Sequence, residues 1–600
     1  MAEFLKSRFG VVFILFFIVA LTIVGRLFYL QIIKGQHYRE ISDRNYMRIF
    51  VTNPPRGRIY DRNGVLLAYD VPTFQLVCLP YIVKKNYKIE DFKKHMKDLL
   101  NIELTDKQVE IIQKNLYPQL VIQKSLSTQQ MKTFWNYSYL FNGVYIDVVP
   151  KRVYTPEANY LPHVIGYVGY PSEKELQKNP DLNMNMLVGK AGVEKIFDSI
   201  LRGKPGKRAV LVDAMGRQKK ILWEEEPEKG NDVYLTIDIR LQKIAYESFV
   251  QSGNPSGAVV IVDPNSYEIL TLLSYPTYDL QKFYEGMTKE EWQNLTSNIY
   301  KPLLNKVFSG LYPPGSIYKP LVSIAALEEG VLTPQTRILS RGEFNIGKYV
   351  YRNWDKRGCG YIDVSQALEM SCDTFYYQIG LKLGVDNIVK YTRGFGIGEK
   401  LNPDIESKTA IVPDRQWKRK VIKTGWFHGD TVNLSIGQGY IAITPFEATK
   451  IILPIINGGY VLKPNLLKAY FDNKTQKLIH SQREVIRRYN FKSYNVEAVK
   501  YGMYRVVYGP NGTAKVMATV PIKNAGKTGT AQVYSYMTRQ KKHHRWELRD
   551  HGWFIDFAPY DQPKIAMAVF VEHGESGGKV AAPIAASILR KAYYEKILEE

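Results

Sequence analysis

The feature that most restricts what this chain can fold into lies near its start. The run FGVVFILFFIVALTIVG, Phe9–Gly25, carries no charge, and RLFYLQII extends it. Together they reach the roughly 20 residues a helix needs to cross a hydrocarbon layer. Arg26 is placed to snorkel toward headgroups. Lys6 and Arg8 precede the run, which directs the short tail 1–8 to the cytoplasmic side. No small-residue cleavage site follows, and the apolar character continues from Leu27 to Ile33. The run therefore reads as a retained single-pass anchor over 9–33, with the chain exported after about Lys34. No second apolar run of that length occurs.

Six hundred residues exceed what one hydrophobic core usually supports, so more than one domain is expected. Lys and Arg number 81 against 58 Asp and Glu, a formal charge of +23, which favours anionic partners. An exported chain without a nucleic-acid motif points away from nucleic acid and toward phospholipid headgroups or a phosphate-bearing lipid. A solvated basic surface is the plainer account of the same charge. Cys78, Cys359 and Cys372 are too few for a disulfide-built scaffold, so folding must rest on apolar cores.

Short extended pieces follow the anchor in NPPRGRIYDRNGVLLA, Asn53–Ala68, where Asn63-Gly64 predicts a hairpin. Residues 91–135 are more helical and charged, as an inserted subdomain would be. A glycine-bounded helix is expected over Val193–Leu201, stopped by Gly203 and the Lys-Pro-Gly after it. A second domain opens with a strand over Val233–Ile237 and a helix capped by Asp238. GAVVIVDPNSYEILTLLSYP reads as two strands about Asp263-Pro264-Asn265, and AMAVFVE, Ala566–Glu572, as another buried strand. A helix over Ala585–Leu598 follows it. Helices around a mostly antiparallel sheet make an α/β sandwich.

The chemistry centres on YPPGSIYKP, Tyr312–Pro320. Pro320 cannot bond the carbonyl of Ser316, so the helix must begin at about Ser316. That places Ser316 among free N–H groups at the positive end of the helix, with Lys319 on its face. Serine is a poor nucleophile until its proton is removed, and a neutral lysine amine removes it. Taken alone, a capping serine and a solvated lysine explain S-x-x-K as well. In NAGKTGTAQV, Lys527, Thr528, Gly529 and Thr530 share a strand, where glycine lets a substrate backbone lie close and the hydroxyls and ammonium suit a carboxylate. Between the two lies SCD, Ser371–Asp373, where Ser371 or Asp373 equally reads as a cap for TFYYQIGLKL.

The three elements in this order resemble the motif set of penicillin-binding proteins and serine β-lactamases. RGRIYDRNGVLLA, GVEKIFDSILRGKPG, GDTVNLSIGQGYIAITP and GKTGTAQV extend the resemblance to class B penicillin-binding proteins over nearly the whole chain. RNWDKRGCGYIDVSQALEMSCDTFYYQIG is most similar to their elongation-specific branch. The resemblance implies an anchored pedestal over 34–226, with an inserted head at about 80–150, and a penicillin-binding transpeptidase domain over 227–600. It implies a peptidoglycan D,D-transpeptidase acting on D-Ala-D-Ala stem peptides in the periplasm, anchored in the inner membrane, with no cofactor required and β-lactams as covalent inhibitors. A hydrolase of the same serine–lysine chemistry, and a β-lactam sensor, are the rival readings.

By the same resemblance Ser316 is the nucleophile and Lys319 its base. Ser371 and Lys527 relay a proton to the leaving amine, Thr528 and Thr530 hold the substrate carboxylate, and the N–H groups of Ser316 and Thr530 form the oxyanion hole. Relatives mostly carry S-x-N, so Asp373 is a departure: its carboxylate favours charged Lys319, while burial and Lys527 oppose that. Implied partners are the lipid-linked nascent glycan, a RodA-type glycosyltransferase and an MreC-type scaffold. Some relatives of this branch hold zinc through Asp, His and Cys. Here Cys372 matches a ligand position, Cys359 stands for histidine and Asn353 for a carboxylate near Asp355. Zinc, a disulfide or free thiols are the open alternatives. The run RQKKHHRWELRDHGW, Arg539–Trp553, reads as a solvated basic loop, with a histidine ligand cluster as its alternative, and Trp426 with the following HGD as fold-shaping residues.

Overall fold

The computed structural model describes residues 8–36, 47–117, 119–179, 182–212, 218–402, 404–533 and 545–598. They form two compact units that interleave along the chain: 1–55, 70–151 and 203–229 in one, 56–69, 152–202 and 230–600 in the other.

In the first unit the apolar run is a helix, Arg8–Phe28, whose helical course continues to Ile33. Its span Val11–Ile33 is unburied by protein and is long and apolar enough to cross a membrane. Strands Met47–Thr52, Gly206–Val212 and Gln218–Glu225 form an antiparallel sheet. The charged stretch folds as helices Ile89–Leu100, Asp106–Lys114 and Thr128–Asn136. Thr105 with Gln108, and Ser127 with Gln130, cap the last two reciprocally. Their apolar faces close on Leu76, Cys78, Phe92, Met96, Ile112, Phe134 and Phe141. Burial pushes the Cys78 thiol up to about 12, leaving it an inert core residue.

In the second unit the Asn63-Gly64 turn forms as expected, with Gly64 at φ +86° and Asp61 Oδ1 accepting from the N–H groups of Asn63 and Val65. The helix expected over Val193–Leu201 is instead two short ones, Gly192–Ile196 and Asp198–Leu201, broken at Phe197. The first is held by Glu194, fully buried between Arg152 at 2.7 Å and Arg56 at 2.9 Å, and Asp198 also pairs with Arg56.

The catalytic part of this unit begins with α1 (Ile239–Gln251), its Asp238 cap accepting from Arg240 and Leu241 N–H. Next come β1 (Gly257–Val262) and β2 (Ile269–Tyr275), the expected hairpin. Then follow α2 (Lys319–Glu328), the hairpin β3 (Glu343–Ile346) and β4 (Tyr349–Arg352), α3 (Val364–Glu369), α4 (Asp373–Gly394) and α5 (Ser493–Tyr508). The chain closes with β5 (Ala525–Ala531), β6 (His551–Ala558), β7 (Ile565–Val571) and α6 (Ala582–Tyr594).

Five of these strands form one antiparallel sheet in the order β2-β1-β7-β6-β5, while β3 and β4 pair only with each other. Both faces are covered, which explains why β1 and β7 are apolar throughout instead of alternating. Val259 and Ile261 pack with Leu241, Phe249, Ile584 and Ile588 on the α1/α6 side. Ala258, Val260 and Val262 share the larger core with Leu321, Ile324, Phe375 and Ile379 of α2 and α4. β5 is the edge strand, and the start of α2 lies against it.

Candidate active site

Pro320 decides the local geometry of the serine. It has no N–H for the Ser316 carbonyl, and that carbonyl accepts from Lys319 N–H, one residue sooner. The chain therefore enters α2 through a tighter 3₁₀ turn, Gly315–Tyr318, and the α-helix proper begins at Lys319. In a 3₁₀ turn residues three apart eclipse, so Ser316 and Lys319 stand on one side. Gly315, at φ +58°, makes the sharp entry, and a Cβ there would lie 2.6 Å from Thr530 O. Ser316 remains partly accessible while Gly315, Ile317, Tyr318 and Lys319 are buried.

The middle motif is the end of one helix and the start of the next. Cys372 N–H donates to Ala367 O and Ser371 N–H to Leu368 O, the bonds of a Schellman turn. Its left-handed position, ordinarily glycine, is Ser371 at φ +54°. Neither Ser371 nor Asp373 caps α4: the capping position is Cys372, which offers no side-chain bond. The Asp373 side chain is directed elsewhere, to Lys319 Nζ at 2.6 Å.

Two buried amines meet at the Ser371 hydroxyl. Lys527 Nζ donates to Ser371 Oγ and to Thr528 O, both at 2.9 Å. Lys319 Nζ lies 3.3 Å from the same hydroxyl and donates to Ser371 O at 2.8 Å, with the Tyr376 ring 5.2 Å away. Among the described residues none bonds the Ser316 hydroxyl, which leaves it free for a substrate. Burial pushes Lys319 below the usual lysine value, and the Asp373 carboxylate only partly offsets this. Lys527 is driven well below it, first by burial and then by the Lys319 charge.

On β5, Lys527 and Gly529 face the start of α2. A Cβ on Gly529 would sit 3.1 Å from both Ile317 N and Pro314 O, so glycine here permits contact between strand and nucleophile turn. Thr528 is mostly buried, its hydroxyl 2.7 Å from that of Thr513, while Thr530 is exposed. Gln438 Nε2 donates to Thr530 O at 3.4 Å, and Gly315 N–H to Gly437 O at 2.8 Å.

This constellation matches known proteins along the chain. Residues 257–590 match the penicillin binding protein transpeptidase domain, and residues 51–235 the penicillin-binding protein dimerisation domain. The chain belongs to the penicillin-binding protein transpeptidases. Peptidoglycan D,D-transpeptidase MrdA of Escherichia coli K12 is 33% identical over 572 residues, covering 93% of this chain and 89% of its own. MrdA of Haemophilus influenzae is 32% identical over 94% of this chain and 88% of its own. The structure of PBP2 in complex with MreC from Helicobacter pylori superposes with a TM-score of 0.76 at 29% identity, over 92% of this chain and 99% of that one. Pseudomonas aeruginosa PBP2 in complex with WCK 5153 gives 0.67 at 31% identity, over 90% and 96%.

In this penicillin-binding protein the three readings of Cys359 and Cys372 reduce to one: the two sulfurs are joined in a disulfide. A sulfur so bonded is no thiolate ligand, and no group of three or more His, Cys, Asp or Glu able to hold a metal occurs among the described residues. The residues present do not fit a zinc site. The first part of the basic histidine-bearing run, residues 539–544 with His543 and His544, lies outside the described residues. His551 is no part of a solvated loop. It is buried in β6, accepts from His573 N–H through Nδ1, and burial pushes it down to about 3. Trp426 donates to Thr431 Oγ1, and Asp430 pairs with buried Lys418 at 2.5 Å.

Sequence reasoning passed over three supports of the site. Thr513 meets Thr528, Glu369 holds the loop before Thr513 through Arg505 and Asn511 N–H, and Asn353 accepts from Asp373 N–H. All act through contacts distant in sequence, and the sequence reading places only Asn353 near the site, in the position of a metal ligand.

Proposed function

We propose that this chain crosslinks peptidoglycan stem peptides during lateral wall elongation, with Ser316 as the acylated nucleophile. The observation that carries this reading is the convergence of Lys319 and Lys527 on the Ser371 hydroxyl, beside an accessible Ser316 whose hydroxyl is bonded by none of the described residues.

Lys319, as the free amine favoured by burial, takes the Ser316 proton as Oγ attacks the penultimate D-alanine carbonyl. The oxyanion is received by the backbone N–H groups of Ser316 and Thr530. Thr530, exposed at the end of the motif, holds the terminal carboxylate. Thr528, already engaged with Thr513, shapes that end of the strand. Collapse breaks the C–N bond, and the departing D-alanine amine takes its proton through Ser371, with Lys527 sustaining the relay. An amine of a neighbouring stem then attacks the ester and regenerates Ser316. β-Lactams acylate Ser316 by the first half of this path, and no step requires a cofactor.

The apolar helix anchors the chain in the inner membrane with its tail cytoplasmic and residues after about 34 periplasmic. The first unit serves as a pedestal toward an MreC-type scaffold and a RodA-type glycosyltransferase, which supplies lipid-linked nascent glycan. The test is labelling of the full chain in detergent with a fluorescent penicillin, wild type against Ser316→Ala. Wild type labels and the variant does not; equal labelling of both would refute the assignment.

A further inference from the structure

Outside the three motifs, the segment from Arg341 to Cys359 is fastened to the middle motif by bonds that no catalytic step uses. Thr374 Oγ1 donates to Arg341 O at 2.8 Å, and Tyr377 OH to Arg352 O at 3.2 Å. Trp354 Nε1 donates to Met370 O at 3.0 Å, and the Cys359–Cys372 disulfide closes the set covalently.

At the centre stands Asn353, only 4% exposed, just past the end of β4. Its main-chain N–H donates to Gly342 O at 2.8 Å. Its Nδ2 donates to Asp355 O at 3.0 Å and lies 3.5 Å from Cys359 Sγ. Its Oδ1 accepts from Asp373 N–H at 2.8 Å. The first amides of a helix have no partner within it, and Cys372 in the capping position supplies none. Asn353 provides that acceptor from a segment about 20 residues away in sequence. The amide it holds belongs to the residue whose carboxylate reaches Lys319 at 2.6 Å.

We propose that Asn353 is a positioning residue for the Lys319–Asp373 pair, kept in place by the Cys359–Cys372 crosslink. This rests on the reading of Ser316 as the acylated serine. The geometry separates two consequences. Asn353 is buried behind the motif, so its loss leaves the binding of a β-lactam unchanged. It frees the start of α4, so Asp373 and Ser371 shift relative to Lys319 and the bond-making step slows. A displacement on the order of 1 Å at reacting groups costs on the order of 100-fold in rate.

The experiment is time-resolved labelling of the full chain with a fluorescent penicillin over a range of concentrations, which separates the dissociation constant from the acylation rate constant. Asn353→Leu, similar in size but without an acceptor, is expected to lower the rate constant about 10- to 100-fold with the dissociation constant unchanged. Asn353→Asp, which keeps the acceptor for Asp373 N–H but loses the Nδ2 donor to Asp355 O, is expected to retain more of the wild-type rate than the Leu variant. The Cys359→Ala/Cys372→Ala pair is expected to fall between them. An Asn353→Leu chain that acylates at the wild-type rate overturns the proposal. So does an equal loss of rate in the Leu and Asp variants, since a merely structural role predicts no rescue. If the Leu variant does not fold, Asn353→Ser, too short to reach Asp373 N–H, takes its place under the same criteria. A wild type that does not label, or a Ser316→Ala chain that does, refutes the acyl-enzyme reading itself and is distinguishable from both.

Discussion

Lys319 carries the central electrostatic conflict of the site. Its amine is wholly buried, which favours the neutral base, yet it holds an ion pair with Asp373 that favours the ammonium. The outcome is a value below that of an ordinary lysine, so acylation should rise with pH along a limb lying below about 10.4. Asp373→Asn removes the group that raises the Lys319 value. The rising limb is therefore expected to move to lower pH, and the pH profile of penicillin acylation checks it. A limb that moves upward would mean that Asp373 acts on another group. Gly315 gives a second prediction at this scale. A Cβ would lie 2.6 Å from Thr530 O at a residue already at φ +58°. Gly315→Ala is expected to cost about 1–3 kcal/mol of stability, read by denaturant unfolding, and to lower labelling sharply.

At the scale of elements, the edge strand β5 is shaped from both sides. The Ser316 turn closes on Gly529, and the loop after α5 presents Thr513 to Thr528. Next to it, β6 carries an apparent misfit. Asp556 pairs in register with Gly526, is fully buried, and neither carboxyl oxygen has a hydrogen-bond partner among the described residues. Burial raises it well above the ordinary carboxyl value, so the folded protein holds a proton that the unfolded chain has released. Stability therefore falls as pH rises from about 4 toward the folded value. Asp556→Asn, similar in shape and never charged, is expected to be more stable than wild type at neutral pH, by a margin that vanishes below about pH 4. Thermal unfolding of both proteins across pH tests this, and a constant difference would reject it.

At the scale of the molecule, the unit that bears the motifs is not contiguous in sequence. Residues 56–69 and 152–202 pack with 230–600, and Ile59, Leu67, Tyr154, Val164 and Leu201 belong to its larger core. A chain beginning at Gly230 is expected to lose soluble yield and penicillin labelling together, because it uncovers that core. The buried Arg56–Glu194–Arg152 cluster ties these segments to one another. Replacing Glu194 by Leu removes the buried carboxylate that Arg152 and Arg56 share, while Arg56 keeps Asp198; the loss is expected to cost about 3–5 kcal/mol, measurable by denaturant unfolding.

Much of this was legible in the sequence where the physics is local. The uncharged run determined a membrane-length helix, Pro320 required a helical start at the serine, and Asn63-Gly64 and Asp263-Pro264-Asn265 set their turns. The order of the three motifs was enough to name the family. Long-range contact decided the rest. Pro320 could not show that the turn before α2 would be 3₁₀, which is what eclipses Ser316 and Lys319. The break at Phe197 accompanies arginines from distant segments, and the sign of the Lys319 shift follows from its complete burial. The pairing of Cys359 with Cys372 and the placement of Asn353 beneath Asp373 arise only when β4 and α4 meet. Backbone preference and apolar patterning act over a few residues and can be read directly. Burial, charge balance and capping from afar depend on which segments the core brings together, and only the tertiary structure decides that.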